Sequence, residues 1–162
     1  MQVWNPSASF TRPNDTTAYA SGDLVANNTT AGSVVPLSFP LGGNAMPGAT
    51  RLTRVRLRKS GTTATNASFR VHLYGVSPTV ASGDNGAWST DQAANYLGAI
   101  DVPAMKAFTD GCCDVGNASA GSEFLVRLGA GATLFALLEA RAAYVPAANE
   151  VFTLTLESLE AY

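Results

Sequence analysis

The stretch from Ala49 to Val76, ATRLTRVRLRKSGTTATNASFRVHLYGV, constrains the fold more than any other part of the chain. Arg54, Arg56 and Arg58 share one parity while Thr53, Val55 and Leu57 take the other, the period-two pattern of a strand buried on one face only. Phe69, Val71 and Leu73 then alternate with Arg70, His72 and Tyr74. Two such runs separated by the polar, Gly- and Thr-rich segment Ser60 to Ser68 predict an antiparallel hairpin whose arginine face looks outward.

The rest of the chain supplies further short runs of the same kind. Leu97 to Val102, Glu123 to Leu128 and Val151 to Ser158 read as strands, and Thr16 to Ala20 can extend between turns at Arg12 to Asp15 and at Ser21 to Asp23. Val34 to Phe39 carries Pro36 and reads as an edge or bulged strand. Thr133 to Tyr144 fits a helix by its alanines and leucine spacing. The short link Pro146 to Asn149 before Val151 favours instead a pair of antiparallel strands. Residues 1 to 9, with Trp4 and Pro6 among small polar residues, read as an N-terminal arm ahead of a single domain over residues 10 to 162. Loops are expected at Pro40 to Gly48, at Ser77 to Asn95 with its one Trp88, and as a tight turn at Asp110 to Asn117. Ala104 to Phe108 reads as a helical turn or a bulge. The sum is an all-β chain of about eight antiparallel strands in a sandwich.

Charge bears on what such a domain does. Only 14% of residues are charged, against about a quarter in an ordinary soluble domain, a surface common on proteins packed against neighbours. Residues 1 to 80 hold seven cations and two acids; residues 81 to 162 hold three cations and ten acids. If the halves end on different flanks, head-to-tail contact between copies is favoured. If the strands interleave, the charges mix and the argument disappears.

Catalytic chemistry is poorly served. His72 is the single histidine, on the polar parity of its strand, and reads as an exposed structural residue; no nucleophile elbow and no phosphate-cradling loop occur. The carboxylates are scattered. Asp110, Cys112 and Asp114 have metal-like spacing but no second ligand cluster, so the turn reading is preferred and no metal or cofactor is expected. Cys112 and Cys113 are adjacent and are expected as reduced thiols. Met1 to Phe10 lacks a cationic start and an apolar stretch, and no run reaches membrane-spanning length, so neither secretion nor a membrane is expected. The arginine ladder lacks interleaved aromatics in a mildly acidic chain, which argues for a protein contact and against nucleic acid.

Phe10 to Ala26 (FTRPNDTTAYASGDLVA) resembles the opening of small structural proteins of tailed bacteriophages and prophages related to head decoration, or cement, proteins. The likeness continues through Ser68 to Tyr74 (SFRVHLY) and the C-terminal strands. It implies a jelly-roll sandwich, no catalysis, a homotrimer made in the host cytoplasm, and a place on the virion surface bound to the major capsid protein, stabilising the shell. The candidate protein-contact residues are Trp4, Phe10, Arg12, Arg51, Arg54, Arg56 and Arg58. The alternative is a receptor- or carbohydrate-binding module of a phage tail or fibre, with Trp88 and Tyr96 for sugar stacking.

Overall fold

A computed structural model describes residues 3–40, 48–118, 124–128 and 132–161. In chain order the strands are β1 (Val3–Trp4), β2 (Ser7–Thr11), β3 (Leu24–Val25), β4 (Leu37–Pro40), β5 (Gly48–Lys59), β6 (Phe69–Tyr74), β7 (Tyr96–Val102), β8 (Lys106–Phe108), β9 (Gly111–Asn117), β10 (Phe124–Leu128), β11 (Thr133–Ala140) and β12 (Val151–Ala161). They form two antiparallel sheets packed as a β-sandwich. The seven-stranded sheet runs β1-β12-β5-β9-β8, with β2 also on β12 and β10 also on β5; the five-stranded sheet runs β3-β11-β6-β7, with β4 also on β11. Because β1 with β2, β3 with β4, and β9 with β10 share flanks of one long strand, the segments fill eight positions plus the short β8. No α-helix occurs among the described residues.

Alternation sets the core. Val55 and Leu57 of β5, Phe152, Leu154 and Leu156 of β12, and Phe69, Val71 and Leu73 of β6 are fully buried between the sheets with Leu134, Ala136 and Leu138 of β11. Phe69 stands edge-on to both Phe152 and Tyr144. The strand expected over Thr133 to Tyr144 is present as β11, and the runs at Leu97 to Val102 and Val151 to Ser158 are strands as expected; near the N-terminus the strand is Leu24–Val25 and not the extended run expected at Thr16 to Ala20.

Partners differ from the sequence reading. β5 and β6 are not a hairpin: β5 lies between β12 and β9, β6 lies between β11 and β7 in the other sheet. The same holds for β11 and β12. A run buried on one face satisfies its alternation equally well beside its neighbour or across the core from it, and the nine residues from Ser60 to Ser68 are long enough to cross. The crossing is pinned at one end by Ser60 N–H donating to Val151 O at 2.9 Å, and at the other by Arg141 N–H donating to Ser68 O at 2.8 Å.

Three local expectations are also corrected. Asp110 to Asn117 is no tight loop; its residues from Gly111 onward are strand β9, with Cys112 buried. Its glycines serve close approach: a Cβ on Gly111 would collide with Lys59 O, and one on Gly116 with Asp101 O. Lys106–Phe108 is neither helical turn nor bulge but an edge strand on β9. The residues expected as an arm are joined to the sheet, Val3–Trp4 facing Leu159 and Ser158, and Ser7–Thr11 facing Thr155 to Val151. Ser7, Ala8 and Ser9 are too small to mark a strand by alternation, and Phe10 is the one large side chain of β2. The loop expected at Pro40 to Gly48 falls largely on residues 41–47, outside the described residues. No helix among the described residues is long and apolar enough to cross a membrane.

Candidate protein-contact surface

The outer face of the seven-stranded sheet carries most of the candidate residues. Along β12 the register steps from Glu157 opposite Arg54 to Ser158 opposite Leu52, so Thr53 is the extra residue of a β-bulge. The bulge reverses parity within β5. Arg51 therefore joins Arg54, Arg56 and Arg58 on the exposed face while Leu52, Val55 and Leu57 all stay in the core. Thr53 fixes the kink by donating its hydroxyl to Glu157 O at 3.1 Å.

The ladder is partly matched by acids of its own chain. Glu157 pairs with Arg54 and lies 3.9 Å from Arg56 Nε, and Asp110 lies 3.1 Å from Arg58 Nη2. Elsewhere Arg12 pairs with Asp84, Lys59 with Glu150 and Arg70 with Asp101. Each of these joins a cation of the first half to an acid of the second. The charge split is thus consumed inside the fold, the outcome in which the strands interleave, and it gives no argument for head-to-tail assembly.

Beside the arginines lie hydroxyls. Ser7 and Thr155 are 2.9 Å apart across β2 and β12, and Ser9 and Thr153 are 2.8 Å apart. Phe108 of β8, at the far side of this sheet, is exposed.

The other candidates separate. Arg12 is buried, 2% exposed, and is a structural anchor of the fold. Its Nη2 donates to Asp84 Oδ2 at 2.8 Å and its Nε to Tyr19 Oη; Asp84 Oδ1 also accepts from Tyr19 Oη at 2.6 Å and from Ala26 N–H at 2.7 Å. Phe10 is half-buried, stacked on Phe152 at 5.5 Å. Trp4 sits on β1 opposite Ser158, at the sheet edge. The structure thus brings Arg51, Arg54, Arg56 and Arg58 together and takes Arg12 away from them.

Two clusters were missed in the sequence. Lys59 directly follows the last outward arginine and points inward: its Nζ lies 3.1 Å from Glu150 Oε1 and donates to Gly61 O at 2.9 Å. Tyr144 donates to the same carboxylate at 2.6 Å, and burial beside it pushes the Tyr144 hydroxyl pKa up. The signal available was the parity of Lys59, which matches Val55 and Leu57.

His72 is the second. Expected as exposed, it is 8% exposed on the outer face of the five-stranded sheet, stacked on Trp88 at 3.9 Å. Its Nε2 lies 2.6 Å from Glu139 Oε2, which can only accept, so Nε2 carries the proton and Nδ1 accepts from Tyr96 Oη at 3.0 Å. Arg141 Nη1 holds the other oxygen of Glu139 at 2.7 Å. Burial lowers the His72 pKa below 6.5, against the pull of Glu139. Both imidazole nitrogens are thus taken up by neighbours. No group of three or more His, Cys, Asp and Glu side chains suited to a metal ion converges among the described residues.

Comparison with protein-family models and with curated proteins finds no match to the chain.

Proposed function

We propose that this chain is a non-catalytic virion component that binds the outer surface of a bacteriophage capsid shell, contacts the major capsid protein and stabilises the shell. The observation that carries the reading is the uncovered outer face of the seven-stranded sheet, with Arg51, Arg54, Arg56 and Arg58 aligned by the Thr53 bulge and flanked by hydroxyls. Guanidinium groups on a rigid strand match carboxylates in two-point geometry, so an acidic shell surface suits this face. The strand order supports the same reading. β2-β12-β5-β9 faces β4-β11-β6-β7, with the chain crossing between sheets at β5 to β6 and at β11 to β12, an order that accords with the jelly roll that the resemblance implies.

Shell stabilisation of this kind requires no bond chemistry. An interface of about 800 Å² per partner, repeated over many copies, suffices, and association of copies with one another adds avidity. The test is co-sedimentation of the purified chain with expanded capsids, together with the temperature at which the capsids open. Binding with a raised opening temperature supports the reading. Glycan-array binding without capsid binding would move the assignment to a carbohydrate-binding module of a tail or fibre.

A further inference from the structure

The four sheet edges are not equally protected. β8 is three residues long, carries exposed Lys106 and follows Pro103. The β3 and β4 edge has a two-residue strand, a Pro36 before β4 and a Pro40 at its end. β7 is kinked at Gly98, where φ is +130° and the register to β6 slips, and its other end is sealed against β9 at Gly116. Charges, prolines, short length and bulges are the devices by which edges avoid pairing with another chain. β2, Ser-Ala-Ser-Phe-Thr, has Pro6 before it but no charge, proline or bulge within it, and its register to β12 is unbroken from Ser7 to Thr11.

The direction of its main-chain groups is set by two hydrogen bonds. Arg12 N–H donates to Glu150 O and Leu156 N–H donates to Pro6 O. Bonded pairs alternate along an antiparallel ladder, so Ala8 and Phe10 also face β12, while the N–H and C=O of Ser7, Ser9 and Thr11 face away from it. Among the described residues β2 pairs with β12 alone. Beside this edge runs a groove of about 370 Å³ walled by residues 8–11 and by Val35, Pro36 and Leu37, with no charged side chain in its lining. Val35 at its lip is 66% exposed.

We propose that β2 is a self-association edge: a second copy of this chain adds its own β2 antiparallel about a two-fold axis through Ser9. The strand is complementary to itself in that register. Ser7 meets the other copy's Thr11 and Ser9 meets its equivalent, all with outward main-chain groups, giving about six inter-chain hydrogen bonds. On the inner face each Phe10 falls opposite the small Ala8 of the other copy, filling space that two large side chains would contest. The axis is perpendicular to the sheet, so the outer faces of both copies merge into one surface bearing two arginine ladders. A five-residue edge is a small contact, and a dissociation constant on the order of 10 μM is expected.

Analytical ultracentrifugation between about 1 and 500 μM tests this, bracketing the constant expected for so small a contact. The expected result is a reversible monomer–dimer equilibrium. Ser9→Pro deletes an N–H that points away from β12, so the variant keeps its own sheet and is expected to be monomeric throughout. Ser9→Lys sets two ammonium groups opposite each other at the axis and is expected to weaken pairing at least tenfold; it gives the answer if the proline variant does not fold. A wild-type chain that stays monomeric, one that forms only trimers, or variants that associate as the wild type does would each overturn the proposal. Capsid co-sedimentation is read separately, so shell binding can stand or fall without it.

Discussion

The two sheets share one core but treat their outer faces in opposite ways. The five-stranded sheet is covered: Leu24, Ala26 and Val80 close over Tyr74 and Leu137 to make a second, smaller core, with Trp88 packed against it. Among the described residues the outer face of the seven-stranded sheet is bare. It presents Ser7, Ser9 and Thr11 of β2 and Arg51, Arg54, Arg56 and Arg58 of β5 to solvent, with Thr153 of β12 half-buried and Thr155 buried between them. Outward side chains follow the cover. On the covered face His72, Tyr74, Leu137 and Glu139 are all buried, whereas on the bare face Arg54, Arg56 and Arg58 are exposed. A sheet coated by its own loop has spent that face on stability, while a bare face remains for a partner.

The cover is held by a buried ion pair, and this is where it is easiest to break. Asp84 lies in the excursion after β6 and binds Arg12, Tyr19 and Ala26, so one carboxylate joins three segments. Asp84→Ala leaves the Arg12 guanidinium, whose side chain is inaccessible to solvent, with only the more distant and partly exposed Asp15, 3.4 Å from Nη2, as counter-charge. A loss of about 3–5 kcal/mol is expected, read as a fall in the denaturant midpoint. Leu24→Ala removes a fully buried side chain from the smaller core and is expected to cost about 2–4 kcal/mol. Neither change touches the bare face, so capsid binding at temperatures where the variants remain folded should persist.

The sequence disclosed strands better than partners. Alternation within β5, β6 and β12 is a property of each run alone, set by which face meets the core, and all three were legible. Which run lies beside which depends on whether a link turns back or crosses, and Ser60 to Ser68 has no residue that forces either. β9 was hidden for a different reason. Its glycines allow close backbone approach, and that same composition reads as a loop. At the surface, the ladder was legible except for the role of the bulge: Arg51 breaks parity with Arg54, and only the register shift at Thr53 shows how both face outward. Arg12 and Asp84 are 72 residues apart, and nothing local distinguishes a buried arginine from an exposed one.

A smaller effect on the covered face is set by His72. Glu139, Arg141, Arg70, Asp101, Tyr96 and Trp88 surround it from β11, β6, β7 and the excursion. Its folded pKa lies below 6.5, so between the two values the unfolded chain binds more protons than the native one. Stability therefore rises with pH in that window and is lost as pH falls from about 6.5 through the folded value. His72→Gln keeps a polar amide in the site and should flatten this slope between pH 7 and 5 in denaturant titrations. An unchanged slope would place its origin in other groups.

The bare face gives the smallest stability effects and the sharpest functional ones. Arg54 and Arg56 are about half exposed, and their pairing with Glu157 is expected to be worth under about 1 kcal/mol. Reversing both, Arg54→Glu with Arg56→Glu, sets two carboxylates against Glu157 and should lower the midpoint modestly, yet abolish capsid co-sedimentation in moderate salt under conditions where the variant is folded; binding that survives would reduce the ladder to ordinary surface. Glu157→Gln separates the two meanings of the ladder from the other side. It removes the internal counter-charge that a shell carboxylate must displace. A ladder that meets acids on the shell should then bind more tightly and with steeper salt dependence, because two guanidinium groups are released for the partner. A ladder that serves only its own sheet should show a slightly lower midpoint and no change in binding.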